Sequence, residues 1–83
     1  MRGYKFRNGE EVQIINDTPL IPVGSKGVIK RRKRYIWTHS YKYVYLVEYK
    51  HVYLVEVKVD RAIWFLWIDE TELKPALEKV VFT

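Results

Sequence analysis

The feature that most constrains the fold is a long alternation of side chains between Tyr43 and Val59. Every second residue of this segment is apolar, aromatic or histidine. Because successive side chains of a strand point to opposite faces, this period predicts one extended strand. A straight strand of this length would span ~56 Å, at about 3.3 Å per residue. In a chain of 83 residues it must bend near residues 49–51 or project as an arm.

The remaining sequence also favours strands. Valine, isoleucine and aromatic residues are abundant and alanine is rare, a composition typical of β structure. The length fits a single domain, residues 1–83. The predicted strands are 11–16, 27–37, 42–59, 62–68 and 78–82. A loop rich in proline and glycine follows the first strand, the turn signal Thr38-His39-Ser40 joins the second to the third, and a short 3₁₀ or helical turn over 69–73 precedes the last.

The hairpin around Asp60 and Arg61 is predicted to bury one face and expose the other. A two-residue loop at this position pairs Val59 with Ala62. The face predicted to form the core carries Val55, Val57, Trp64 and Leu66. The opposite face carries Leu54, Phe65 and Trp67. An isolated sheet would expose these three side chains, so we expect the segment 74–83 or another protein chain to cover them.

Two stretches of the chain resemble a known family. Gly9, Val12 and Ile14, followed by the sequence VGSKGVI at 23–29, resemble the G-x-x-V-x-I…G-x-x-G-x-[VI] pattern of SH3-like barrels of the KOW type, found in transcription and ribosomal proteins. Residues 53–57 and 64–73 are similar to the closing hairpin and 3₁₀ turn of such barrels. The resemblance covers 8–30 and 52–74 and implies a small five-stranded SH3-like barrel. Segment 30–51 is longer than the usual second and third strands of those barrels, and no site residues are taken from the family.

Positive charge is concentrated in one segment. The net charge of the chain is +5, but residues 26–51 carry eight Lys and Arg against Glu48 alone. A dense basic segment attracts polyanions, although lysine-rich edge strands also serve simply to prevent aggregation. We predict a long basic hairpin that binds nucleic acid.

Aromatic rings and cations are expected to share one face of this hairpin. If Thr38 pairs with Lys42, the face carries Arg31, Lys33, Tyr35 and Trp37 opposite Tyr49, Val47, Tyr45 and Tyr43. Rings stack on unpaired bases at about 1 to 3 kcal/mol each, and cations contact phosphates. A basic two-stranded ribbon also fits the DNA major groove. The candidate nucleic-acid-binding residues are Lys30, Arg31, Arg32, Lys33, Arg34, Tyr35, Trp37, Tyr43, Tyr45 and Lys50. The other interpretation of the rings is packing in the core or across strands.

The sequence offers little for catalysis. There is no cysteine, and His39 and His51 do not have the spacing of metal ligands. Segment 24–27 (GSKG) lacks the first glycine and the Lys-Ser/Thr ending of a phosphate-binding loop. We predict that the protein is not an enzyme and has no catalytic residues, metal or cofactor.

The leading hypothesis is therefore a non-catalytic protein whose partner is DNA or RNA, single- or double-stranded. The alternative is a protein-protein interaction module, a homodimer or a larger assembly, formed through Leu54, Phe65 and Trp67 or through the long edge strand. The sequence lacks a long apolar run and a signal-peptide core, so we predict no membrane partner and a cytoplasmic location. Few Cys, Met, Asn and Gln residues predict a thermostable protein.

Overall fold

The computed structural model describes residues 3–16, 18 and 20–76, which form one antiparallel sheet of five strands. The strands are β1 (Glu11–Ile14), β2 (Lys26–Tyr41), β3 (Val44–Val59), β4 (Ala62–Asp69) and β5 (Leu73–Pro75), with a 3₁₀ turn at Glu70–Glu72. Their order in the sheet is β4-β3-β2-β1-β5. The prediction of an all-β chain is confirmed. Within the described ranges, no helix has the length and apolarity needed to cross a membrane.

The sheet is open in the described residues. β4 and β5 lie at its two edges, so the barrel closure expected from the sequence is not confirmed. The 3₁₀ turn lies where it was predicted. The Asp69 side chain caps this turn by accepting a hydrogen bond from the Thr71 N–H at 2.9 Å.

The fifth strand differs from the prediction. It is the short segment β5, which pairs with β1 directly after the 3₁₀ turn. Leu73 opposite Ile14 anchors it, since both side chains are buried. Three residues are too few to show a strand period. The strand predicted at 78–82 lies outside the described residues.

β2 and β3 form a hairpin that pairs along almost its whole length, from Gly27 opposite Val57 to Tyr41 opposite Val44. The turn predicted at 38–40 is wrong, since these residues belong to β2 and the loop is Lys42-Tyr43. Lys42 has a φ of 48°, the left-handed backbone that a two-residue hairpin loop requires at its first position.

The outer half of this hairpin projects from the sheet as a two-stranded ribbon, residues 31–51, which we call the arm. β1 pairs with β2 only over Lys26–Val28, and β4 pairs with β3 only from Val52 onwards. The β2–β3 register shifts between Ile29 and Arg31, and such a β-bulge bends and twists a ribbon. Every arm residue is exposed except the half-buried His39 and His51. The long strand predicted from the alternation therefore fits this small domain because half of it projects as the arm.

The core lies on one face of the sheet below the arm. Its buried side chains are Phe6, Val12, Ile14, Ile21, Ile29, Tyr53, Val55, Val57, Ile68 and Leu73. Val59 pairs with Ala62 as predicted. Trp64 and Leu66, predicted as core, are only half-buried and pack at its margin, because β4 is an edge strand. On the opposite face Phe65 and Trp67 remain 58% and 50% exposed.

Gly27 is needed where β2 crosses the core. An added Cβ would lie 2.5 Å from Val55 Cγ1 and 2.9 Å from the Glu56 carbonyl oxygen. Gly27→Ala is therefore expected to lower the free energy of unfolding by about 1 to 3 kcal/mol, as overpacking does in other cores. Urea denaturation measures this effect. Gly3→Ala is the control, because its Cβ would meet nothing within 4 Å, and equal stability of the two variants would contradict the prediction.

Candidate nucleic-acid interface

The pairing of Tyr41 with Val44 decides which side chains share a face of the arm. The inner face continues the face of the buried Tyr53, and the outer face is its reverse. The outer face carries Arg31, Lys33, Tyr35, Trp37, His39 and Tyr41 with Val44, Leu46, Glu48 and Lys50. The inner face carries Arg32, Arg34, Ile36, Thr38 and Ser40 with Tyr45, Val47, Tyr49 and His51.

The predicted aromatic face is wrong in part. The cations and rings that β2 contributes to it share the outer face, as predicted. Trp37, however, lies opposite Glu48 and not opposite Tyr43. The observed pairing of β2 with β3 is displaced from the predicted pairing by an odd number of residues. This displacement moves every β3 side chain to the other face of the hairpin. Tyr45 therefore lies on the inner face, Tyr43 lies in the loop, and Lys50 joins the outer face opposite Tyr35.

On the outer face, cations lie over aromatic rings. Lys33 Nζ is 4.8 Å from the centre of the Tyr35 ring, and Lys50 Nζ is 5.5 Å from the Trp37 ring. Both distances allow a cation–π interaction. The two rings remain 41% and 52% exposed. Positive charge and flat rings are therefore within reach of the same ligand.

The inner face is also basic. Arg34 Cζ is 5.7 Å from the Tyr49 ring, and Arg32 Cζ is 4.8 Å from the ring of Tyr4 in the N-terminal segment. Lys30 lies at the bulge, and its Nζ forms an ion pair of 3.0 Å with Glu56. The arm thus presents cations on its inner face as well as on its outer face.

Charge and apolar surface are separated along the arm. Its base carries the run Arg31 to Arg34 and Lys50, whereas its tip, residues 41–47, has Lys42 as its one charged residue. Tyr43 and Tyr45 are 87% and 71% exposed. Sequence reasoning missed this tip because it assigned the turn to residues 38–40.

A hydrogen-bond network fastens the N-terminal segment to the base of the arm. The Tyr53 hydroxyl donates to Glu70 Oε2 at 2.5 Å and accepts the N–H groups of Lys5 and Phe6 at 3.0 and 3.3 Å. His51 Nδ1 lies 3.6 Å from the same Glu70 oxygen. Burial, together with the hydrogen bond to Glu70, raises the pKa of Tyr53 to about 12. The alternation in the sequence places Tyr53 on the same face as Val55 and Val57 but gives no signal for this distant partner.

Tyr53→Phe is expected to lower the free energy of unfolding at pH 7 by about 1 to 3 kcal/mol, because the buried N–H of Phe6 and the Glu70 carboxylate each lose their hydrogen bond to the Tyr53 hydroxyl. The pKa of Tyr53 is higher in the folded state, about 12, than its ordinary value of 10.0. The contribution of the Tyr53 hydroxyl to the free energy of unfolding is therefore complete below pH ~10 and is lost as the pH rises toward ~12.

Denaturation of both proteins across this pH range measures the effect. The stability difference between wild type and variant should shrink as the pH rises above ~10. Tyr45→Phe, at an exposed position, is the control and should leave stability unchanged at every pH. A difference between wild type and Tyr53→Phe that stays constant with pH would contradict the assignment.

The described residues form no group of three or more His, Asp or Glu side chains that could hold a metal ion. No protein-family model matches the sequence, and comparison with curated proteins and with solved structures gives no match. Functional inference therefore starts from the charge and geometry of the arm.

Proposed function

We propose that the protein binds nucleic acid, without catalysis, through the arm. The proposal depends on one observation: an exposed two-stranded ribbon carries cations on both faces, with aromatic rings between them. Such a density of positive charge is the electrostatic signature of contact with a phosphate backbone. The exposed rings add surfaces on which bases stack.

Each group of arm residues has its own role in this proposal. The phosphate contacts are made by Arg31, Arg32, Lys33, Arg34 and Lys50. Tyr35 and Trp37 stack on bases, because their rings lie beside these cations and remain open. Tyr43 and Tyr45 extend the stacking surface toward the tip. The pairing of Lys30 with Glu56 reduces its contribution.

The rings favour an unpaired strand as ligand, because stacking on Tyr35 and Trp37 needs a free base face. A ribbon with cations on both faces also suits a duplex groove. Fluorescence anisotropy of the full chain with mixed-sequence single-stranded RNA, single-stranded DNA and duplex DNA at low salt compares these ligands. We expect binding, with the single strands bound more tightly. Absence of binding to all three would overturn the proposal.

We also propose that the sheet belongs to an SH3-like barrel of the KOW type. β1 pairs with both β2 and β5, and the 3₁₀ turn lies directly before β5. These features support the proposal, since barrels of this type have a 3₁₀ turn before their last strand. An experimental structure of the full chain tests it through the distance between β4 and β5.

A second candidate function is assembly through the face of Leu54, Phe65 and Trp67. The observation in its favour is the exposure of Phe65 and Trp67, at 58% and 50%, since an apolar patch of this kind marks interaction surfaces. Light scattering tests it. A salt-insensitive dimer that Trp67→Lys disrupts would support assembly through this face. A monomer that binds oligonucleotide would contradict it.

A further inference from the structure

Neither edge of the arm has a neighbouring strand among the described residues, and the edge formed by β3 ends in a notch. β4 ends at Asp69 opposite Val52, so the edge of β3 over residues 44–51 is open. An open notch of about 820 Å³ lies at the base of this edge, lined by Arg34, residues 48–51 and residues 69–71. An unpaired edge is a template for a further strand, and the notch provides room for its end.

We infer that this edge pairs with the same edge of a second copy of the chain, antiparallel and around a two-fold axis. The inference uses the β3 edge of the arm, whereas the two proposed functions use the faces of the arm and of β4. An axis perpendicular to the ribbon keeps each side chain on its own face, so even residues meet even residues and odd meet odd. With Val47 opposite itself, residue 44 of one copy lies opposite residue 50 of the other. This pairing uses the open edge up to the notch without running into β4.

This register brings two exposed aromatic side chains together. On the inner face Tyr45 lies opposite Tyr49 of the second copy, and these rings, now 71% and 57% exposed, become neighbours. Aromatic and β-branched cross-strand pairs stabilise antiparallel sheets. Moving the axis by one residue toward the base would place Glu48 opposite itself, and like charges directly opposite are destabilising.

Charge at the ends of the pairing identifies the occupant as a second copy. The loop Lys42-Tyr43, which connects β2 to β3, then lies next to the end of β4 of the other copy. Asp69 pairs with Val52 there, and Glu70 follows it. The one cation of the tip therefore meets the acidic end wall of the notch, twice in the dimer. Both faces of the arm stay open, so the paired arms form a four-stranded ribbon that retains the cations and rings of the outer face.

A single cysteine at the axis tests the register. The chain has no cysteine of its own, and directly opposite residues have Cα atoms about 4.5 to 5.5 Å apart, within the disulfide range of about 4.4 to 6.8 Å. Val47→Cys is expected to form a covalent dimer nearly completely on mild oxidation. Leu46→Cys is the control, because its exposure of 49% matches the 46% of Val47 while its two copies would lie about 8 Å apart. Equal cross-linking of the two variants would overturn the inference.

Light scattering on unmodified chains gives a second readout. Wild type should be a dimer, and Val47→Asp should be a monomer because it places two carboxylates at the axis. A monomeric wild type, or a dimer that Trp67→Lys disrupts and Val47→Asp does not, would overturn pairing through the arm. Oligonucleotide binding is measured separately, so loss of this inference leaves the proposed function standing, and the reverse is equally true.

Discussion

Replacing Arg31, Arg32 and Arg34 together by alanine is expected to weaken binding of a mixed-sequence single-stranded oligonucleotide about a hundredfold at ~0.1 M salt. Each phosphate contact on a single strand adds about 0.7 to the slope of log affinity against log salt. Loss of three contacts should therefore also flatten this slope by about 2. Anisotropy titrations at several salt concentrations measure both quantities. The fold should survive, because all three side chains lie on the exposed arm.

A second triple variant separates the arm from the general charge of the protein. Lys58→Ala, Arg61→Ala and Lys74→Ala remove the same charge from exposed positions outside the arm. This variant should keep most of the affinity and nearly all of the slope. If both triple variants lose affinity equally, the ligand is held by net charge, and the arm is not the binding surface.

Removing two rings from the outer face should have a different signature. Tyr35→Ala combined with Trp37→Ala is expected to weaken single-strand binding at least about 30-fold, since stacking contributes about 1 to 3 kcal/mol per base. The salt slope should stay unchanged, because no charged group is removed. Affinity and slope together therefore distinguish stacking from phosphate contact.

The exposed face of β4 provides the matched control for the rings. Phe65→Ala combined with Trp67→Ala removes two aromatic side chains that are 58% and 50% exposed, close to the 41% and 52% of Tyr35 and Trp37. This control should bind as wild type does. Equal affinity of the two double variants would contradict a stacking role for the outer face.

The hairpin of β3 and β4 shows what the sequence could predict. Its register follows from a two-residue loop and from the burial of one face, because a slip of one residue would expose Val55 and Val57. The 3₁₀ turn was equally predictable, since Asp69 supplies a local cap. Local residue chemistry was sufficient in both places.

The arm shows why the candidate site could be predicted only in part. Both of its faces are exposed, so no buried face penalises a slip in register. Its loop, Lys42-Tyr43, contains no glycine or asparagine, whereas His39 and Ser40, which looked like a turn, stay extended. The residues that carry the charge could be read from the sequence, but their pairing across the ribbon could not. The network of Tyr53 and Glu70 was also out of reach, because β4 must first fold back to bring these residues together.

The salt dependence of wild-type binding to a single-stranded oligonucleotide tests the central claim most directly. Five cations of the arm in contact with phosphates predict a slope of log affinity against log salt of about −3.5. Tight binding at low salt with a slope near this value is the expected result. No measurable binding at low salt, or an affinity that does not change with salt, would contradict the claim that the arm binds nucleic acid.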